Sequence, residues 1–169
     1  RGRWILLGVN CRSDATATPT PAITPALVAH AFQRLPLPRL DVVVQPDAKT
    51  LVNLDTIFHT EASPLGRDVT LLGQRVQLAI TPSRFRWVFG DGATLVTDNP
   101  GAAYPSRTIT HRYLRADVTM VPHVEVSWTA RYRVNGGAWA DVPGTVLTIG
   151  PNTPLRVVEA VPNLSGTGH

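Results

Sequence analysis

Five histidines and twelve acidic side chains are the groups of this chain that could move a proton or hold a cation near neutral pH. The closest His–carboxylate spacing is His59 with Glu61, and a lone pair of that kind is more often a solvated strand end than an acid–base couple. Asp91 stands between Gly90 and Gly92, with Asp98 and Asn99 close behind. Calcium asks for six to eight oxygens, so these three fall short of a calcium loop. Asp91 is therefore expected to accept backbone N–H groups within its own turn, which the flanking glycines allow to close. His123 and the terminal His169 belong to no pattern. Cys11 is the only cysteine, which rules out an internal disulfide, a thiolate zinc site and a dithiol cycle within this sequence. No histidine stands near it to activate a thiolate, so its expected chemistry is a disulfide to a cysteine elsewhere. Gly-x-Ser-x-Gly, His-Glu-x-x-His, Walker and Gly-x-Gly-x-x-Gly motifs do not occur. Gly90-Asp91-Gly92 has no following helix to hold a phosphate. No catalytic, cofactor or metal residue can be named, and the expectation is a protein that is not an enzyme.

Aromatic and basic residues are the other carriers of recognition. Trp128 falls on the apolar phase of its segment and is expected in the core. Tyr104 and Trp139 lie in or beside turns and are the better candidates for contact with a sugar ring or a protein partner, with Trp4 a third. Of 16 basic residues 15 are arginine, and the net charge is +4. The arginines are scattered, and no run of three basic residues occurs. Arg84-Phe85-Arg86-Trp87 and Arg131-Tyr132-Arg133 alternate basic with aromatic, which in a strand separates them onto opposite faces. A solvated, arginine-lined sheet face is the expectation, not a nucleic-acid groove.

These side chains must be held by a core, and 169 residues suffice for one without a staple. The composition is 43% hydrophobic and 17% charged, which excludes a disordered acidic tail, a collagen-like chain and a charged coiled coil. Continuous apolar runs such as Ile5-Leu6-Leu7 and Val42-Val43-Val44 are far too short to span a bilayer. Trp4 to Val9 reads as a strand, and residues 12–25 as an extended Ser/Thr/Ala/Pro-rich linker. Thr24 and Pro25 mark a helix start, with a helix through Arg34 that Pro36 and Pro38 stop. From residue 40 the expected strands are Leu40–Gln45, Leu51–Thr60, Val69–Leu72, Arg75–Ile80, Arg84–Phe89, Arg107–Leu114, His123–Val134, Ala138–Val142, Thr145–Ile149 and Leu155–Val161. Over 124–134 even positions are apolar and odd ones mostly polar, the pattern of a half-buried antiparallel strand, and Asn135-Gly136 then signals a hairpin. Many short strands with frequent turns predict an all-β sandwich.

The segment Phe85-Arg86-Trp87-Val88-Phe89-Gly90-Asp91-Gly92, followed by Thr110-His111-Arg112-Tyr113, resembles the PKD (polycystic kidney disease) domain, an immunoglobulin-like β-sandwich. Trp87, Phe89, Gly90, Asp91, Gly92, His111 and Tyr113 match that family's motif. Val88 stands where the family has an Asp, and Ala116-Asp117-Val118 replaces its later Gly-x-Tyr. The strict resemblance covers roughly residues 40–135. The broader layout is similar to PKD-containing secreted proteins of high-GC Gram-positive bacteria. The resemblance implies a sandwich over 40–162, preceded by an extension over 1–39 with a strand and one short helix, and followed by a tail over 163–169. It implies that His111 fixes the Gly-Asp-Gly turn.

The resemblance also implies export to the cell surface or beyond, and the opening Arg1 suggests that a leader or a further segment precedes it. The expected function is a non-enzymatic structural or interaction module, a partner of other proteins or of its own copies, using Trp4–Val9 to add to a sheet edge. The alternatives are a carbohydrate-binding module and an accessory domain of a secreted hydrolase.

Overall fold

The computed structural model describes residues 19–160. One helix, α1 (Pro25–Gln33), precedes twelve strands: β1 (Val43–Gln45), β2 (Lys49–Leu51), β3 (Thr56–His59), β4 (Leu65–Leu71), β5 (Gln74–Val88), β6 (Thr94–Thr97), β7 (Thr110–His111), β8 (Val118–Met120), β9 (His123–Val134), β10 (Ala140–Asp141), β11 (Val146–Ile149) and β12 (Leu155–Val158). The fold is β-rich, in several sheets, with one short helix among the described residues. No helix among these residues is long and apolar enough to cross a membrane.

The largest sheet is built on β5 and β9, which run antiparallel through twelve residue pairs from Val76↔Val134 to Val88↔His123. The other edge of β5 is shared by β4 and then β6, and the other edge of β9 by β10 and then β11. One smaller sheet has the order β1-β3-β7, and the other β2-β12-β8, in which β2 and β12 are parallel. The inward side chains of β5 and β9 form the middle of the core, with Trp87, Trp128, Phe85, Val126 and Ile80 all fully buried. Trp128 needs a partner for its indole N–H in that position, and Thr148 Oγ1 accepts it at 2.9 Å. Thr24 caps α1 through a hydrogen bond from the Leu27 amide to its hydroxyl at 3.2 Å. The helix buries Val28 and Phe32 in this same core.

Two expected strands, Arg75–Ile80 and Arg84–Phe89, prove to be one strand of fifteen residues. Their core residues change phase: Val76, Leu78 and Ile80 are even, while Phe85 and Trp87 are odd. Side chains alternate with period two, so both sets can face the core only if one extra residue is inserted between them. Ser83 is that residue. The register passes from Pro82↔Trp128 to Arg84↔Ser127, and the Ser83 hydroxyl donates to the Ser127 carbonyl at 3.0 Å. Pro82, which has no N–H to give to the ladder, fits beside the bulge.

Other boundaries also differ from the sequence reading. Leu51–Thr60 divides into β2 and β3, which enter different sheets. Asn53 between them takes a left-handed conformation at φ 61°, and its amide donates to the Tyr113 carbonyl at 2.9 Å. The buried hydroxyls of Thr50 and Thr56 bond each other at 2.6 Å across the break. Arg107–Leu114 shrinks to Thr110–His111, Ala138–Val142 to Ala140–Asp141 and Leu40–Gln45 to Val43–Gln45, while β4 starts at Leu65 rather than Val69. Strands β6 and β8 were not foreseen, since short segments with few apolar residues carry little periodicity. The Asn135-Gly136 turn closes as expected, with both residues at positive φ and the Gly137 amide on the Val134 carbonyl at 2.9 Å. The expected strand Trp4–Val9 lies outside the described residues.

Deleting Ser83 turns Phe85 and Trp87 toward solvent or breaks the ladder, so that variant is expected not to fold cooperatively. Ser83→Ala keeps the residue count and is expected to fold with a loss of about 1 kcal/mol in urea denaturation.

Candidate functional site

The residues that carry the PKD resemblance gather in one place, at the end of β5. Gly90 has φ 89° and Gly92 φ 95°, and a Cβ on Gly90 would come within 2.8 Å of the Val121 backbone nitrogen. The chain can therefore turn here only with glycine. Asp91 Oδ1 accepts the Ala93 amide at 3.0 Å, and Oδ2 lies 2.7 Å from His111 Nε2. An ionised carboxylate only accepts, so His111 Nε2 is the donor. The imidazole lies flat on Phe89, with centroids 4.1 Å apart and planes 4° apart, and meets Tyr113 edge-on at 4.8 Å. Tyr113 is fully buried, and its hydroxyl donates to the Phe89 carbonyl at 2.9 Å.

Burial alone would raise the Asp91 carboxyl, but the hydrogen bonds from His111 and from the Ala93 amide outweigh it and hold the pKa below the ordinary carboxylate value. Burial, and then the negative charge of Asp91, push the Tyr113 phenol up, so it stays a donor. Both carboxylate oxygens are thus engaged and the imidazole is stacked. The cluster fastens the end of β5 to β7, which pairs with β3 through Thr56↔His111. This arrangement holds a turn in shape.

The remaining candidates are dispersed. His59 forms no bond with Glu61, and its buried Nε2 has no partner. Asn99 accepts the Gly101 amide at 3.1 Å and donates to Asp98, so these two organise the loop after β6 and not a shared site with Asp91. Tyr104 is 68% exposed, with its amide on Gln45 of β1, while Trp139 lies beside β9 under Arg133, and the two line no common cavity. Trp4 and Cys11 lie outside the described residues.

The sequence reading missed a surface that the pairing of β4, β5 and β9 creates. Asp68, Gln77 and Arg133 are successive cross-strand partners, so their side chains form one row on the solvent face. Trp139 closes that row: Arg133 Cζ sits 4.8 Å from its ring centroid, and Arg133 Nε donates to Gln77 Oε1 at 2.6 Å. The adjacent row holds the paired small residues Gly66 and Ala79. A cavity of about 620 Å³ opens above them, bounded by Trp139 and Arg133 on one side and by the chain from Pro64 to Asp68 on the other. The alternation of Arg131-Tyr132-Arg133 pointed to the face, but only the register shows which residues share a row.

Elsewhere on this face the arginines meet acidic neighbours: Arg86 with Glu125 at 2.9 Å, Arg131 with Asp141 at 3.2 Å and Arg75 with Asp68 at 2.6 Å. Exposed pairs of this kind contribute roughly 0–1 kcal/mol each, and they use up carboxylates and arginines in matched positions. No family model, curated protein or solved structure matches the chain.

Tyr113→Phe leaves the Phe89 carbonyl without its donor and is expected to cost about 1–3 kcal/mol in urea denaturation. Asp91→Asn is expected to cost a similar amount at pH 7. Because the folded Asp91 pKa is depressed, its contribution is complete above the unfolded value and is lost as pH falls through the folded one. The stability gap between the two proteins should therefore close below about pH 4, and a gap that is constant with pH would contradict this assignment.

Proposed function

We propose that this chain is a PKD-type immunoglobulin-like β-sandwich that works outside the cell or at its surface as a non-enzymatic module for protein contacts, joining copies of itself through a sheet edge. The motif residues Phe89, Gly90, Asp91, Gly92, His111 and Tyr113 support the family reading, because they form a turn-locking cluster of the kind the resemblance implies. The single observation that carries the contact reading is the edge strand β11. It pairs with β9 along one side only, and among the described residues no backbone hydrogen bond is made to its other side. Leu147 and Ile149 on this strand are 55% and 51% exposed. A groove of about 880 Å³ runs between β11 and the segment from Leu35 to Arg39 that follows α1.

At its end that segment comes close to the sheet. A Cβ on Gly150 would lie 2.1 Å from the Leu40 carbonyl oxygen, so only glycine lets the two backbones touch there. The result is a slot with a free ladder edge, apolar side chains and a closed end, which suits an added extended strand.

The occupant we assign is Trp4–Val9 of a second copy. Ile5-Leu6-Leu7 is an apolar run of the kind that an edge carrying Leu147 and Ile149 would take. The Pro21 carbonyl is held by Gln74 Nε2 at 2.7 Å, which fixes where the tether leaves the sheet. Residues 10–20, drawn out, reach roughly 35 Å, enough to pass to a neighbouring molecule.

Deletion of residues 1–20 tests this by light scattering on the purified chain. The full chain is expected to self-associate, and both the deletion and Ile149→Glu are expected to give the monomer mass with unchanged circular dichroism. A full chain that stays monomeric at high concentration, or a mass unchanged by the deletion, would overturn the reading.

A further inference from the structure

A second surface is independent of the β11 edge and lies on the opposite flank of β9, over the Gly66–Ala79 pair. From its geometry we infer that the cavity between Trp139 and the Pro64–Asp68 stretch is a binding site for a carboxylate-bearing sugar ring, a uronate within an oligosaccharide. Three features of the site point to this ligand chemistry.

The first is the aromatic wall. Trp139 sits just after a hairpin turn, borders the cavity and remains 38% exposed, although the inward aromatic side chains of this sheet are buried. Arg133 covers one face of the indole, and the part left exposed offers a flat apolar surface to the C–H groups of a pyranose.

The second is the fork. Arg133 is stacked on that indole and fastened through Nε to Gln77, so its guanidinium is already ordered before a ligand arrives. Among the described residues no carboxylate pairs with Arg133, and none pairs with Arg67 at the other wall of the cavity. Asp68, the one acid in the lining, is engaged by Arg75 at 2.6 Å. The cavity therefore presents cationic charge that is in no ion pair, on a face where Arg75, Arg86 and Arg131 have found acids. A planar fork of this kind matches a carboxylate through two parallel hydrogen bonds.

The third is the floor. Gly66 and Ala79 are cross-strand partners, and nothing lies within 4 Å of where a Gly66 Cβ would be. The open space above them lets a ring lie down beside the stacked Arg133–Trp139 pair.

Isothermal titration calorimetry of the full chain with oligomers of glucuronate, galacturonate and mannuronate, each beside its methyl ester, tests the site. At least one acid oligomer is expected to bind, with its ester about tenfold weaker or more, since the ester cannot take a bidentate guanidinium. Trp139→Ala is expected to weaken binding about tenfold or more, and Arg133→Lys, which keeps the charge and loses the fork, by a similar factor. Both positions lie outside the core, so unchanged urea midpoints check that the variants are folded. Absence of binding to every acid oligomer at millimolar concentration would overturn the proposal, as would equal affinity for acid and ester or binding undiminished by Trp139→Ala.

Discussion

The extended antiparallel pair formed by β5 and β9 is the constraint on which the rest of this molecule depends. Its twelve residue pairs bring Phe85, Trp87, Val126 and Trp128 together in the middle of the core, and the four other strands of the large sheet attach only to its two outer edges. A ladder of that length cannot stay flat, because strands twist and a sheet with one apolar face must wrap around what it buries. Ser83 resolves the conflict by adding a residue to β5 opposite an uninterrupted β9. The bulge changes the phase of β5, so that two apolar runs of opposite parity face the same core. It also divides each long strand into halves: β4 and β10 flank one half of the pair, and β6 and β11 the other. The two surfaces argued to carry function lie on different halves. The cavity beside Trp139 belongs to the β4–β10 half and the open β11 edge to the other.

The glycine-rich turn at the end of β5 has a different part. Glycines at positive φ leave that turn poorly determined by itself, and Asp91, His111 and Tyr113 determine it. The chain leaves β5 at Phe89 with its carbonyl and amide committed, to Tyr113 and Ala93 respectively. The cluster therefore ties the large sheet to the small sheet of β1, β3 and β7 through polar groups, while Phe58 and Phe89 meet edge-on at 5.0 Å beside it. Both Asp91 carboxylate oxygens, His111 Nε2 and the Tyr113 hydroxyl have partners, which is what lets the tie sit beside the core.

Several of these features were legible in the sequence, and the reason is local in each case. Thr24-Pro25, Asn135-Gly136 and the alternation of 124–134 declare themselves through capping, turn and period-two chemistry that needs no knowledge of distant partners. The burial of Trp128, Trp87 and Phe89 followed from phase alone. The bulge was present in the residue parity around Pro82 but reads as two strands unless both runs are required to face one core. The division at Asn53 was hidden because Leu51-Val52-Asn53-Leu54 has the composition of a strand, and its break is decided by the Tyr113 carbonyl sixty residues on. The cavity beside Trp139 was out of reach for a sharper reason: Asp68, Gln77, Arg133 and Trp139 are neighbours only through cross-strand register, which composition does not encode. The arginine face was foreseen as a solvated surface. The structure refines that picture, since most of its arginines already meet acids and Arg133 does not.

If the β5–β9 pair is the spine, its amides should be the last to open. Native-state hydrogen exchange measured along the whole chain tests this directly. The account predicts that amides through Val76–Val88 and Val124–Val134 exchange only by global unfolding, with a free energy equal to that from urea denaturation, while those of β10, β11 and the two small sheets open earlier. Exchange in β5 or β9 at a lower free energy than in the small sheets would contradict it.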